Sequence, residues 1–166
     1  MIVVSDTTPL ISLMKIGQLE LVHKLFGEIQ IPQAVFDELT SNRRFPDESR
    51  QIKECNYINT VIVDDINAVK LLRRSTGLDA GESEAIILSD VEKATYLLMD
   101  EVKGRIVAKQ MGIKIMGTVG LLMIAHSEGL LDKSEIMECI DILKNTGRHI
   151  SNNLYKQLID VINEEQ

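Results

Sequence analysis

The chain has 166 residues, 45% hydrophobic and 26% charged, with a formal net charge of −7. That length suits one domain with a real core, domains clustering at about 100–150 residues, and the composition excludes a disordered chain. The acidic balance argues against a general electrostatic nucleic-acid binder, which is usually basic, but not against an enzyme acting on nucleic acid, because bound cations reverse the potential of an acid cluster.

Residues 1–4 are apolar and read as a buried parallel strand that stops at Asp6. Thr7-Thr8-Pro9 opens a short helix over 9–16, ended by Gly17. A second helix follows on Leu19, Leu21, Val22, Leu25 and Phe26, then a short strand at 29–31 stopped by Pro32. Residues 33–40 are helical and bury Val35, Phe36 and Leu39, and the polar stretch 41–49 reads as a mobile loop leading to a helix over 49–54. Further on come a strand at 58–63, a helix at 66–73, a turn at 75–80 and a helix at 81–90. The strand at 95–99 ends, like the first, in an acid, Asp100. A helix at 101–111 capped by Gly112, a strand at 113–116 and a helix at 118–127 follow, then helices at 134–144 and 151–162 with Ser134 and Ser151 as expected N-caps.

Strand and helix alternate, which predicts an α/β fold with a short, mainly parallel sheet covered by helices. Right-handed crossovers then bring Asp6 and Asp100 to the same sheet edge, the edge where open α/β sheets bind ligands. No apolar stretch approaches the ~20 residues of a membrane span, and no basic segment followed by a cleavable apolar one opens the chain. A cytoplasmic protein without a membrane partner is expected. Cys55 and Cys139 lack metal-type spacing and read as reduced and structural. His23, His126 and His149 lie in separate segments and form no paired ligand motif.

Four acidic places carry the chemistry. Asp6 has a structural reading as a helix cap, yet Thr7 and Thr8 cap equally well. Glu38, in the Asp37-Glu38 pair, taken alone reads as helix surface. Asp79, Glu82 and Glu84 crowd one helix start, more acid than the helix dipole needs, and Gly81 lets the backbone there approach another segment. Asp100-Glu101 repeats the device of Asp6. Brought together, Asp6, Glu38, Glu82 or Glu84, and Asp100 make a patch of oxygen ligands whose mutual repulsion a cation relieves. Hard ions such as Mg²⁺ or Mn²⁺ suit such a patch, and it activates a water and stabilises the leaving oxygen of a phosphodiester. Gly117-Thr118-Val119-Gly120 lacks the spacing of a phosphate-binding loop.

The segments Val4–Ile11, Ile31–Leu39, Leu78–Ile86, Leu98–Glu101 and Gly112–Thr118, in this order, resemble the PIN-domain family of metal-dependent ribonucleases, which includes many toxins of toxin–antitoxin pairs. The resemblance is greatest to PIN-like proteins with a Gly-Glu-x-Glu-Ala-Ile element and an added helical C-terminus. It implies a three-layer sandwich in one domain over residues 1–166, with 128–166 a helical extension packed on it. It places the family's acids on Asp6, Glu38, Glu82 and Asp100, with Glu84 as the alternative third acid and Glu101 as a helper. Thr7 falls on the usual hydroxyl neighbour of the first acid. Two departures stand out: Glu replaces the commoner Asp at the third position, and the Thr or Ser usual shortly before the fourth acid gives way to Leu98-Met99.

The function so implied is Mg²⁺- or Mn²⁺-dependent hydrolysis of RNA, by the toxin of a type II toxin–antitoxin pair, with a small antitoxin covering the acidic site. Position alone nominates Arg43, Arg44, Lys103 and Arg105 to meet substrate phosphates, with Thr7 as a further expected substrate contact. The alternatives are a catalytically degenerate PIN-fold module that binds RNA or protein, and a small-molecule phosphatase. The apolar content and seven methionines leave helix faces to cover, so a homodimer is a partner to test.

Overall fold

The computed structural model describes residues 1–41, 43–147 and 150–164; His149, and Asn42 within the expected loop, lie outside the described residues. Five strands, β1 (Val3–Ser5), β2 (Ile29–Pro32), β3 (Ile58–Val61), β4 (Tyr96–Leu98) and β5 (Ile115–Met116), form one sheet in the order β3-β2-β1-β4-β5. Every pairing is parallel, with Val4 opposite Gln30 and Leu97, and Ser5 opposite Leu98. The chain winds outward from β1 through β2 to β3, then returns to the other side of β1 for β4 and β5. The winding therefore reverses between β1 and β4, and a crevice at the carboxyl ends of two such strands is the usual ligand position of open α/β sheets.

The alternation of side chains along these strands makes three layers. Val3 and Leu98 face one apolar cluster, whereas Val4, Leu97 and Met99 face a second on the opposite side. The first face is covered by α1 (Thr7–Lys15), α2 (Glu20–Phe26), α3 (Gln33–Ser41), α4 (Pro46–Glu54), α8 (Thr118–Ser127), α9 (Lys133–Asn145) and α10 (Asn152–Glu164). The second is covered by α5 (Ile66–Thr76), α6 (Ala80–Val91) and α7 (Val102–Gln110), with Leu72, Ala85, Ile86 and Ala108 against the strands. A sheet buried on both faces explains why its strands read as continuous apolar runs. The expected α/β architecture with extra C-terminal helices is the one found.

Some boundaries differ, for local reasons. α4 begins at Pro46 rather than 49, since proline suits the first helical turn and Asp47 and Glu48 complement the helix dipole. α5 runs through Thr76 and ends on Gly77, whose φ of +73° suits a residue without Cβ. Ser134 does not cap α9. Asp132 does, accepting from the Glu135 N–H while the Glu135 carboxylate accepts from the Asp132 N–H, a reciprocal arrangement that satisfies two orphan donors. Ser151 caps α10, its hydroxyl accepting from the Leu154 N–H at 3.2 Å.

α7 lies close to the end of β4 because Gly104 has no side chain. A Cβ there would stand 2.5 Å from Sδ of the fully buried Met99. Gly104→Ala is expected to destabilise the fold by about 1–3 kcal/mol through overpacking, measured by urea denaturation. A loss below about 0.5 kcal/mol, the range of neutral surface changes, would show that α7 is not seated so closely.

Candidate functional site

Asp6 is the centre of the site. It is 3% exposed, and its N–H donates to Leu98 O at 2.9 Å, extending the β1–β4 ladder by one residue and fixing Asp6 at the switch point. It occupies the N-cap of α1 in extended conformation, yet its side chain makes no capping bond to the helix. The local sequence supplies part of the reason. The third helical residue is Pro9, which has no N–H to donate, so a usual partner of a capping carboxylate is missing.

Burial is the largest influence on Asp6 and pushes its pKa from 3.8 up to about 7; the Thr7 backbone N–H opposes the rise, and the carboxylates of Asp79, Glu82 and Glu38 add to it. Glu82 is raised as well, first by burial, then by Asp79, Glu101 and Glu38, with the Asp79 backbone N–H lowering it. Asp6, Glu38 and Glu82, drawn from three separate stretches of chain, thus share one electrostatic neighbourhood, joined by Asp79 and Glu101.

Each acid has a distinct tether. Glu38, on α3, accepts from Thr7 Oγ1 at 2.7 Å, so the threonine beside Asp6 ties α1 to α3. Asp37, its neighbour, accepts instead from Gln33 Nε2 on the exposed side of the helix. Asp79 and Glu82 form a capping box at the start of α6, with Asp79 Oδ1 accepting from the Glu82 N–H at 2.8 Å and Glu82 Oε2 from the Asp79 N–H at 2.9 Å. Gly81 brings that turn close to α3: a Cβ at this position would lie 3.1 Å from Glu38 Oε2. Glu84 accepts from the Ala34 N–H at 3.0 Å and so closes the start of α3.

Asp100 stands at the same sheet edge as Asp6 but is engaged elsewhere. Its Oδ1 accepts from the Thr118 N–H at 2.7 Å and its Oδ2 from Thr118 Oγ1 at 2.6 Å, which places both oxygens on the first residue of α8. Asp100 is not among the groups that raise Asp6. Of the basic residues nominated for phosphate contact, Arg105 donates from Nη1 to Met99 O at 2.8 Å, supporting the end of β4. Lys103 reaches over the close of α5, with Nζ 3.0 Å from where a Cβ of Gly77 would be. Arg43 lines a shallow recess on α3 and α4 together with Arg50 and Lys53.

Asp79 lies beside the acids expected as ligands without being one of them, and the Asp-x-x-Glu pattern it forms with Glu82 is its signal in the sequence. Thr118, the partner of Asp100, carried none beyond its place after Gly117. Among the described residues, His23, His126 and both cysteines stay out of the site. The His23 ring stacks on Tyr57 at 4.9 Å, His126 Nδ1 lies 2.8 Å from Leu131 O, and both thiols are free, with the buried Cys139 pushed up to about 11. Beside Asp100 and Glu101, a cleft of about 660 Å³ runs between α8 and α10, with Arg105, Thr118, Met123 and Leu154 on its walls.

All donors gathered around Asp6 are carboxylate oxygens, the kind that suits a hard divalent cation. As placed, no group of three or more His, Cys, Asp or Glu among the described residues stands close enough together to hold an ion. The donor chemistry fits, and closing the set requires side-chain movement. Glu38, Asp79 and Glu82 now face hydrogen-bond donors of their own.

The strand order and the acidic edge at its switch point define a doubly wound, parallel α/β protein with carboxylates at the ligand-binding edge of its sheet. A family model described as a PIN domain matches residues 2–164, and the chain belongs to the PIN-domain family. PIN domains are in general nucleases and typically use divalent metals, which gives this chain nuclease-type chemistry at that level of description. No curated protein matches it. Among the described residues no helix is long and apolar enough to cross a membrane.

Proposed function

We propose that the protein is a Mg²⁺- or Mn²⁺-dependent ribonuclease that hydrolyses RNA phosphodiester bonds from the cytoplasm, as one domain and as the toxin of a toxin–antitoxin pair. The observation that carries this reading is the convergence of Glu38, Asp79 and Glu82 on a buried Asp6 whose pKa rises to about 7. A buried acid surrounded by other acids is held at a free-energy cost, and perturbed groups of this kind cluster at functional sites.

Asp6, Glu38 and Glu82 would hold the ion, which when bound supplies Lewis-acid polarisation of a phosphoryl oxygen and stabilises charge as it develops. Asp6 is the fixed member, because its backbone belongs to the β1–β4 ladder. Thr7 sets the direction of Glu38 through their 2.7 Å hydrogen bond. The capping box holds Glu82 at the start of α6, and freeing its carboxylate costs one exposed hydrogen bond. The overall charge of −7 repels RNA, so the substrate strand needs local cations such as Arg43 to approach. An antitoxin, in this reading, blocks the acidic crevice by presenting a basic group to it.

The experiment compares cleavage of a single-stranded RNA oligonucleotide by the wild type, Glu38→Gln and Glu82→Gln, with Mn²⁺ and with chelator. Wild-type cleavage that needs Mn²⁺, and a loss of at least about tenfold in each variant, is expected. Hydrolysis of a phosphomonoester with none of RNA would reject the ribonuclease reading. A second reading, a binding module with a degenerate site, has its own support in the side-chain tethers of Asp79, Glu82 and Asp100. In that case neither RNA nor phosphomonoester is cleaved, and Mn²⁺ produces no thermal shift that depends on Asp6.

A further inference from the structure

We propose that Arg73, Arg74 and Lys103 form a phosphate track on which a single-stranded RNA passes from the acidic edge over the close of α5. The assignment rests on the ribonuclease reading above and gives the substrate strand its path.

The three cations come from two helices that meet beside the acids. Lys103, the second residue of α7, reaches across to α5, and its Nζ lies 3.0 Å from where a Cβ of Gly77 would stand. Gly77 closes α5, its N–H donating to Arg73 O at 2.8 Å, and Arg73 and Arg74 occupy the last turn of that helix. Asp79 follows Gly77 by two residues, so this junction borders the start of α6 and its carboxylates.

These charges are not used within the protein. All three residues are exposed, and among the described residues none of them enters an ion pair or a side-chain hydrogen bond. The acids next to them are engaged elsewhere, Asp79 and Glu82 each holding the other's N–H. Arg105 on α7 is likewise committed, to Met99 O. The dipole of α5 accounts for Arg73 and Arg74 at its carboxyl end, but not for a lysine brought to that end from α7.

In a chain of net charge −7, unpaired cations beside the acids supply the local potential that a polyanion needs to approach. A single small anion gains little from exposed charges that solvent screens. A strand that lays successive phosphates on them releases counterions at each contact. Lys70 is exposed one turn back on the same helix face, so the track runs from Asp79 outward along α5.

The test is steady-state cleavage of a single-stranded RNA oligonucleotide by the full chain with Mn²⁺ as salt is varied. The triple variant Arg73→Gln/Arg74→Gln/Lys103→Gln is expected to raise KM by at least about tenfold with kcat unchanged. The rise of log KM with log salt should become shallower by about 2, and Tm should stay that of the wild type. The loss should be equal for uridine-rich and adenosine-rich strands, because phosphate contacts carry no sequence. Arg73→Lys/Arg74→Lys, which keeps the charges, should retain a KM and salt slope close to the wild type. Lys103→Gln alone leaves the end of α5 intact and should flatten the slope by about 0.7, so it reads the track even where the triple variant folds poorly. Lys24→Gln removes a cation from the opposite layer, already paired with Glu20 at 3.3 Å, and should change neither quantity. Wild-type KM and slope in the triple variant, or a fall in kcat alone, overturns the track and leaves the ribonuclease reading standing. A wild-type chain that cleaves no RNA brings down that reading, and the track with it.

Discussion

Asp6→Asn is expected to stabilise the protein at pH 8 in chelator while eliminating the metal-dependent cleavage proposed for it. The folded-state pKa of Asp6 lies at about 7 against 3.8 for an exposed aspartate. Between those values the folded chain holds a proton that the unfolded chain has lost, so stability falls as pH rises through this window. Above pH 7 the group carries its full penalty, for which the shift sets a ceiling of about 4 kcal/mol. Asparagine keeps the shape and removes the ionisation. Chemical denaturation from pH 4 to pH 8 should show the wild type losing a few kcal/mol that the variant retains. Mn²⁺ should reverse the ranking at pH 8, since an ion held at the proposed site would favour the carboxylate and bind only the folded wild type. Cleavage by Asp6→Asn should fall by more than the roughly 10–100-fold typical of losing a supporting partner. Identical pH profiles for the two proteins would mean that Asp6 is not the strained group of this fold.

The same residue shows what a sequence discloses and what it withholds. An apolar run ending in Asp6, and another ending in Asp100, predicted two parallel strands delivering acids to one edge. The pairing of Ser5 with Leu98 does so. That much is legible because strand burial and crossover handedness depend on local pattern and general chirality. The direction of each carboxylate does not. Asp100 and Glu101 are adjacent acids, and nothing in their spacing shows that Thr118, eighteen residues later, engages the first of them. Glu84 looks as available as Glu82 until the start of α3 is seen to donate a hydrogen bond to it, from the Ala34 N–H. The start of α9 is ambiguous in the same way, because both Ser134 and Asp132 are good capping residues and only the reciprocal bond with Glu135 decides between them. Motif order was therefore readable, whereas side-chain partnership is a tertiary property.

The crevice is only as firm as the two strands that form it, and Leu97 and Leu98 test both faces of that support. These consecutive residues of β4 are 0% and 1% exposed, and they point into opposite clusters, Leu97 toward α6 and α7 and Leu98 toward the helices of the other layer. Leu97→Ala and Leu98→Ala should each cost about 2–5 kcal/mol and lower Tm by roughly 5–15 °C. Unequal effects on the site are expected at temperatures where both variants remain folded. Leu97 shares its cluster with Met99, which packs on Gly104 of α7 and whose carbonyl is held by Arg105, so its loss loosens the segment that carries Asp100 and Glu101. Leu98 accepts the Asp6 N–H through its backbone, and that bond survives truncation of the side chain. Mn²⁺ affinity should therefore drop further in Leu97→Ala than in Leu98→Ala. Equal affinities would show that the acidic edge is positioned by the backbone ladder alone, with no contribution from the packing of α7 beneath it.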